Sequence, residues 1–381
     1  MNQFNLSMTT KLYFGSGIIA DALQQEKDTI KGNILIVTTG RSLKRLGYLE
    51  ELRIHLEKLS TVEEVLIYEE ISQNPETKEI EQAVHLGKKR NVTVVIGFGG
   101  GSAIDAAKAT AVGIASENTV EKILLEGLEP SEKTLPIVAI PTTAGTGSEL
   151  SKAAIVSCTE HQFKGGIRGR AVLPAVAIVD PVYTYSVPAK TTMETGFDAL
   201  AHAVESFMAV KANLFSEMLS EKAIRMIGKN IRKLNQCLED YSAREQMSYA
   251  SMIMGMNLAN VGTCLPHRMQ YVVGVRTHTT HGAGLLALYP SWLSREYSVN
   301  TSKVKQVFEW LDLGTVNSEQ EVYQRFNAFL QDLGIAYTLS SFGIKEEMLT
   351  DMAASVTGNV ANDQLSECKN SILHIFEDAL K

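Results

Sequence analysis

Asp198 and His202 stand four residues apart in TGFDALAHAVESF, residues 195–207, and a helix there would carry both side chains on one face. A carboxylate and an imidazole aimed at one point make half of a divalent-metal site, although the same spacing also suits an ordinary helix-surface pair. Of the eight histidines in the chain, three (His267, His278 and His281) fall close together further on, where the remaining ligands can be sought. A second stretch with chemical content is Gly99-Gly100-Gly101-Ser102. Consecutive glycines let backbone approach a ligand closely and turn N–H groups toward it, and a helix N-terminus adds partial positive charge, so pyrophosphate is the natural occupant and a tight turn the alternative. The pattern is GGGSxxDxAK, not the G-x-G-x-x-G fingerprint. The loop PTTAGTGSE, residues 141–149, offers small hydroxyl and glycine residues suited to a second wall of such a pocket.

These groups need elements to hold them. NILIVTT (33–39), VEEVLIYEEI (62–71), VTVVIG (92–97), LPIVAI (135–140) and AVAIVDP (175–181) read as strands. Helical patterns lie between the first three, in LKRLGYLEELRIHLEKL and EIEQAVHLGKKR, and AIDAAKATAVGIA follows the third. Strands alternating with helices imply a parallel sheet covered on both faces, with ligands at the carboxyl ends of its strands. From Lys190 onward helical patterns dominate, so a helical domain is expected. The expected domains are 1–186 and 187–381, and the Met-rich MSYASMIMGM reads as core filling.

At 381 residues the chain is long enough for two domains, each with its own core. A hydrophobic fraction of 45%, a charged fraction of 21% and a net charge of -7 describe an ordinary globular protein, without the basic footprint that nucleic acid or an anionic membrane would require. The N-terminal MNQFNLSMTTKLYFGSG has no charged start followed by an apolar core, and no run reaches the roughly 20 apolar residues of a membrane span, so a cytoplasmic location is expected. Cys158, Cys237, Cys264 and Cys368 lie far apart with no CxxC, which predicts reduced thiols and neither a disulfide framework nor a zinc knuckle.

Taken together, GGGSAIDAAKA (99–109), PTTAGTGSE (141–149), FDALAHAVES (197–206) and NVGTCLPH…HTTHGAGLLALYP (260–290) resemble the iron-containing (group III) alcohol dehydrogenases, in order and spacing, from about residue 10 to the C-terminus. The resemblance implies a Rossmann-like NAD(P)-binding domain followed by an all-α domain, the architecture shared with dehydroquinate synthase. It also implies a homodimer, acting on a small-molecule alcohol or aldehyde. It further implies a mononuclear Fe²⁺, or Zn²⁺, held by Asp198, His202, His267 and His281. Cofactor contacts are implied for Gly99, Gly100, Gly101, Ser102, Asp105, Thr142, Thr143 and Thr146. Many members place an aspartate after the first strand, to bind the adenosine ribose and repel a 2′-phosphate. Here that turn is Gly40-Arg41-Ser42, which predicts NADP(H) over NAD(H), with a solvated Arg41 and NAD(H) as the alternative.

The chain departs from the family pattern at Tyr271, where most members have a second histidine four residues after the position of His267. A phenol with a pKa near ~10 donates a proton but is a poor base at neutral pH, which favours aldehyde reduction. Tyr271 and His278 are therefore the expected catalytic and pocket residues. Arg268 and Arg276 stand where apolar or small residues are usual, and a guanidinium facing the pocket predicts an anionic aldehyde such as phosphonoacetaldehyde or a semialdehyde acid. Salt bridges within the bundle or at a dimer interface are the alternative for both. Two other classes fit the architecture: a dehydroquinate-synthase-like lyase or cyclase, and a non-catalytic binding protein. The third histidine and the intact ligand set argue against them.

Overall fold

The computed structural model describes residues 4–5 and 7–381; positions 1–3 and 6 of the N-terminal segment read above lie outside the described residues. The chain divides into two compact units, Ser7–Ser186 and Val187–Lys381, the second joined by the N-terminal residues Phe4 and Asn5. Phe4 stacks on Phe215 with ring centroids 6.4 Å apart. Among the described residues no helix is long and apolar enough to cross a membrane.

The first unit is built on eight strands: β1 (Lys11–Phe14), β2 (Gly32–Thr39), β3 (Val62–Ile71), β4 (Val92–Gly99), β5 (Ile137–Pro141), β6 (Ala153–Cys158), β7 (Phe163–Arg168) and β8 (Val176–Val179). Six form one parallel sheet in the order β1-β8-β5-β4-β2-β3. Successive residues of a strand face opposite sides. Leu35, Val37 and Val95 enter one buried cluster, while Ile34, Ile36, Val94, Ile96 and Phe98 enter the other. Both faces are covered by helices, so the central strands read as continuous apolar runs and not as an alternating pattern.

Three features differ from the sequence expectation. The helical pattern over 43–59 is two helices, Ser42–Arg45 and Tyr48–Glu57, because Gly47 takes a left-handed φ of 79° between them. β1 adds an edge strand beside β8, from a segment too short and mixed to signal one. β6 and β7 form a separate antiparallel hairpin, paired from Ala153↔Arg168 to Cys158↔Phe163.

The second unit is helical, and the long elements that matter here are Ala189–Met208, Leu214–Gln236, Tyr241–Asn260, Leu265–Thr277 and His281–Val299. Its centre is aromatic. Phe197 meets Tyr289 edge-on at 5.1 Å, and Tyr289 meets Trp292 at 4.9 Å. Met247, Met252 and Met254 are buried in the core, as expected for flexible side chains that fill irregular gaps. Gly196 sits where a Cβ would come within 2.8 Å of Met247 Cε, so a small residue there allows the helix bearing Asp198 to pack closely.

Candidate metal centre and cofactor loops

In the helical unit the carboxylate of Asp198 is the point on which three imidazoles converge. Its Oδ1 lies 3.7 Å from His202 Nε2, 3.5 Å from His267 Nε2 and 3.5 Å from His281 Nε2. The helix Ala189–Met208 supplies Asp198 and His202 four residues apart. His267 comes from the first turn of Leu265–Thr277, and His281 opens the helix His281–Val299. That last helix can approach because Gly282 has no side chain: a Cβ there would lie 2.7 Å from the carbonyl oxygen of Glu194. Thr280 caps the same helix and donates its hydroxyl to Glu194 at 2.7 Å, pinning the two together.

The donor set fits a divalent metal. Asp198 Oδ1 and His267 Nε2 are buried and make no hydrogen bond among the described residues, an expensive arrangement for polar atoms without a ligand between them. Separations of 3.5–3.7 Å are long for hydrogen bonds, yet close to the edge of about 3.4 Å expected of a tetrahedron with ligands at roughly 2.1 Å. The electrostatics agree. Burial alone would raise the Asp198 carboxyl, but the imidazoles of His202, His281 and His267 beside it hold it well below the usual range. Burial likewise pushes His267 down, and Glu205 and Asp198 outweigh it to hold the imidazole up to about 10. A divalent cation bound here would displace the proton from His267.

Two supporting residues escaped the sequence reading. Glu205 Oε1 lies 2.7 Å from His267 Nδ1, and its Oε2 accepts the Cys264 N–H at 2.8 Å. Gln270 Oε1 lies 2.6 Å from His281 Nδ1. Glu205 follows His202 by three residues on the same helix, so D-x-x-x-H-x-x-E was the available signal. Such partners fix the ring orientation and tautomer of a ligating histidine. Glu205→Gln keeps the shape but turns an amide toward the Cys264 N–H, so metal affinity is expected to fall roughly 10–100-fold, measured by competition with a chromogenic chelator.

Of the other predicted residues in this unit, Tyr271 has its ring 6.3 Å from that of His281. The Arg268 guanidinium lies over the Tyr271 ring at 5.3 Å. Arg268 is only 9% exposed; it donates from Nη2 to the Thr263 hydroxyl at 2.9 Å, while its Nε is buried with no acceptor among the described residues. Gly358 leaves room for it, since a Cβ there would come within 3.3 Å of Arg268 Cδ. Arg276 is instead engaged at the surface, donating to Asp351 at 2.7 Å and to Ser355. His278 is exposed at the left-handed C-cap of its helix, and its backbone N–H bonds the Gly274 carbonyl at 2.9 Å.

In the sheet unit, β4 ends at Gly99 and the helix Gly101–Ala115 begins two residues later. The glycines are sterically required. A Cβ on Gly99 would meet Ala103 Cβ at 2.7 Å, and one on Gly101 would meet Thr146 Cγ2 at 2.5 Å. The Thr142 N–H donates to the Gly99 carbonyl at 2.9 Å, so the two predicted loops form one surface. Asp105 is turned inward: it accepts the Ser148 hydroxyl and, at 3.0 Å, the Ile155 N–H. The Ser102 hydroxyl is likewise spent on the Gln73 carbonyl. Gly40 takes a left-handed φ of 59° after β2, and beyond it Lys44 is bound to Glu69 at 2.8 Å. Arg41 makes no ion pair with a carboxylate among the described residues.

Lys108 anchors this surface from beneath. It is fully buried, and its Nζ donates to the Ser148 carbonyl at 2.7 Å and the Ala153 carbonyl at 2.8 Å, as well as to Ser151. Burial pulls its ammonium down from 10.5 to about 8, against Asp105 and Glu149. Lys108→Met is expected to cost about 3 kcal/mol of stability, because it strands buried acceptors. The folded chain sheds this proton near pH 8 and the unfolded chain near 10.5. Between those values the unfolded state binds more protons, so wild-type stability rises and the deficit of the variant widens. Urea midpoints of both proteins across that window measure it.

Residues 9–181 match the family model described as iron-containing alcohol dehydrogenase, and residues 192–380 match the C-terminal model of the Fe-containing alcohol dehydrogenase family. The chain is 29% identical over 377 residues to sulfoacetaldehyde reductase of Bilophila wadsworthia, covering 96% of each sequence. It is 28% identical over 392 residues to the probable NADH-dependent butanol dehydrogenase 1 of Bacillus subtilis, covering all of both. Among solved structures, the alcohol dehydrogenase of an archaeal halo-thermophile from a Red Sea brine pool superposes with a TM-score of 0.92 at 25% identity, over 100% of this chain and 99% of that one.

Proposed function

The chain belongs to the iron-containing alcohol dehydrogenase family, and from that premise we propose that it is a metal-dependent reductase of small aldehydes bearing an acidic group, with NADP(H) as the preferred cofactor. Asp198, His267 and His281, whose ligand atoms lie within 4.8 Å of one another, hold the metal together with His202, 3.7 Å from the same carboxylate, and Glu205 and Gln270 orient His267 and His281. When bound, the cation supplies Lewis acidity toward a carbonyl oxygen and the nicotinamide supplies hydride. Tyr271, beside His281, donates the proton that the product oxygen needs. The glycine turn at 99–101 and the threonines of 142–146 receive the cofactor phosphates.

The observation that carries the substrate class is Arg268. A buried guanidinium whose Nε finds no acceptor and that makes no carboxylate salt bridge among the described residues is costly to maintain. A sulfonate, phosphonate or carboxylate on the substrate would complete it. The sulfonated aldehyde in the name of one relative supports the same class. Cofactor preference rests on Arg41, at a turn where no carboxylate repels a 2′-phosphate.

The test is an anaerobic assay of Fe²⁺-reconstituted protein with NADPH and NADH against paired anionic and neutral aldehydes. Faster NADPH oxidation with the anionic member is expected, and preference for NADH with neutral aldehydes overturns both specificity assignments. Arg41→Ala is expected to lower kcat/KM for NADPH about tenfold, the value of one charge-assisted hydrogen bond, and to leave NADH unaffected.

A further inference from the structure

A second constellation of metal-binding side chains lies in the sheet unit. Glu121, Cys158 and His161 each offer one ligand atom, and the three atoms lie within 4.8 Å of one another. His161 Nε2 is 3.4 Å from Glu121 Oε1, about the ligand-to-ligand edge of a tetrahedral site with donors near ~2.1 Å. The local fold explains the convergence. Cys158 is the last residue of β6 and pairs with Phe163 at the start of β7. The intervening turn runs through Thr159–His161 to Gln162, whose φ of 49° closes it. A Cys-x-x-His spacing on a hairpin turn brings thiol and imidazole to one side, as in zinc-binding hairpins. Glu121 reaches the pair from the first turn of the helix Val120–Glu126, which Glu81 fixes by accepting the Val120 N–H.

The surroundings suit a cation. Thr159 is held by Glu76, which accepts its N–H at 3.1 Å. The nearby ammonium of Lys78 is taken up by Glu160, leaving the Glu121 carboxylate to face His161. Cys158 is buried, whereas the His161 and Glu121 side chains are 54% and 36% exposed, so a fourth position is open to water. No cysteine pair marks this constellation, since the partners of the thiol are a histidine in its own turn and a carboxylate from elsewhere in the chain.

We propose that Glu121, Cys158 and His161 form a second divalent-cation site, for an ion of the Zn²⁺ class, that fastens the β6–β7 hairpin to the neighbouring helix. Thiolate, imidazole and carboxylate are borderline-soft to hard donors that together favour Zn²⁺ or Co²⁺ over Mg²⁺ or Ca²⁺. Binding releases the thiol proton to solvent.

Titration with Co²⁺ tests this, because a thiolate ligand gives a sulfur-to-cobalt charge-transfer absorption that the Asp198 centre, with only oxygen and nitrogen donors, does not. The wild type is expected to bind two equivalents of Co²⁺, one of which gives the band; Asp198→Asn is expected to retain the band and Cys158→Ser to lose it. His161→Ala, at an exposed turn that tolerates the change, and Glu121→Gln are expected to weaken Co²⁺ binding by more than the roughly tenfold loss typical of an outer-shell partner. Absence of the band in wild type, its survival in Cys158→Ser, or unchanged affinity in His161→Ala would overturn the proposal. None of these outcomes depends on the reductase assay, so the two readings stand or fall separately.

Discussion

Asp198→Asn is expected to lower kcat/KM for aldehyde reduction by about 10³-fold or more, since Lewis-acid stabilisation is worth several kcal/mol and each ~1.4 kcal/mol is tenfold. The substitution is isosteric, so packing is preserved, but it removes the charge on which three imidazoles converge. The amide also brings N–H donors among the three imidazole nitrogens that face this carboxylate. Metal content after gentle purification should fall in parallel with activity. The folded carboxyl is held below its ordinary value, so its stabilising contribution is present above the unfolded pKa and is lost as pH falls. Wild type and variant should accordingly converge in stability in acid. Retained metal with undiminished turnover would refute the assignment of Asp198 as a ligand.

Arg268→Met separates the anion reader from a structural arginine. For an aldehyde with an anionic head group, kcat/KM is expected to fall about 10²-fold, the scale of a charge-assisted hydrogen bond made without solvent competition, and a neutral aldehyde of the same length should be little affected. Stability is the discriminating readout. Breaking a buried ion pair costs about 3–5 kcal/mol, whereas removing a buried cation that lacks a carboxylate partner is neutral or stabilising. Arg268 is held by one neutral hydroxyl and the Tyr271 ring. The melting temperature should therefore hold or rise. An equal loss on charged and neutral aldehydes, or a large drop in melting temperature, would return Arg268 to a packing role. Arg276 serves as the internal comparison: it is paired with Asp351 at the surface, and its replacement should not be charge-selective.

Much of the candidate site was legible in the chain because its signals are local. Asp198 and His202 share one helix, so their spacing alone fixes a common face. The turn at 99–101 combines a strand end, glycines and a helix start within a few residues, and packing requires those glycines at the strand–helix contact. Apolar runs revealed five strands of the parallel sheet: the central β2, β4, β5 and β8 are buried on both faces and carry few polar residues, while the edge strand β3 is marked by its apolar run at 65–68. The division into an α/β and a helical half followed from the change in periodicity.

Other features depend on contacts between distant segments. Asp105 and Ser102 are an example: both follow the glycine turn in the sequence, yet the Asp105 carboxylate accepts from Ser148 and Ile155, and the Ser102 hydroxyl donates to the Gln73 carbonyl. Arg268 and Arg276 look alike in sequence, and only the course of the chain around them gives one a buried, unfilled guanidinium and the other a surface carboxylate. Glu121 joins Cys158 and His161 because a helix packs beside a hairpin whose own strands gave no clear periodic signal. Spacing within one element sets which side chains share a face. Which faces meet, and which buried charges are left to a ligand, is decided when packing distributes a limited set of partners among them.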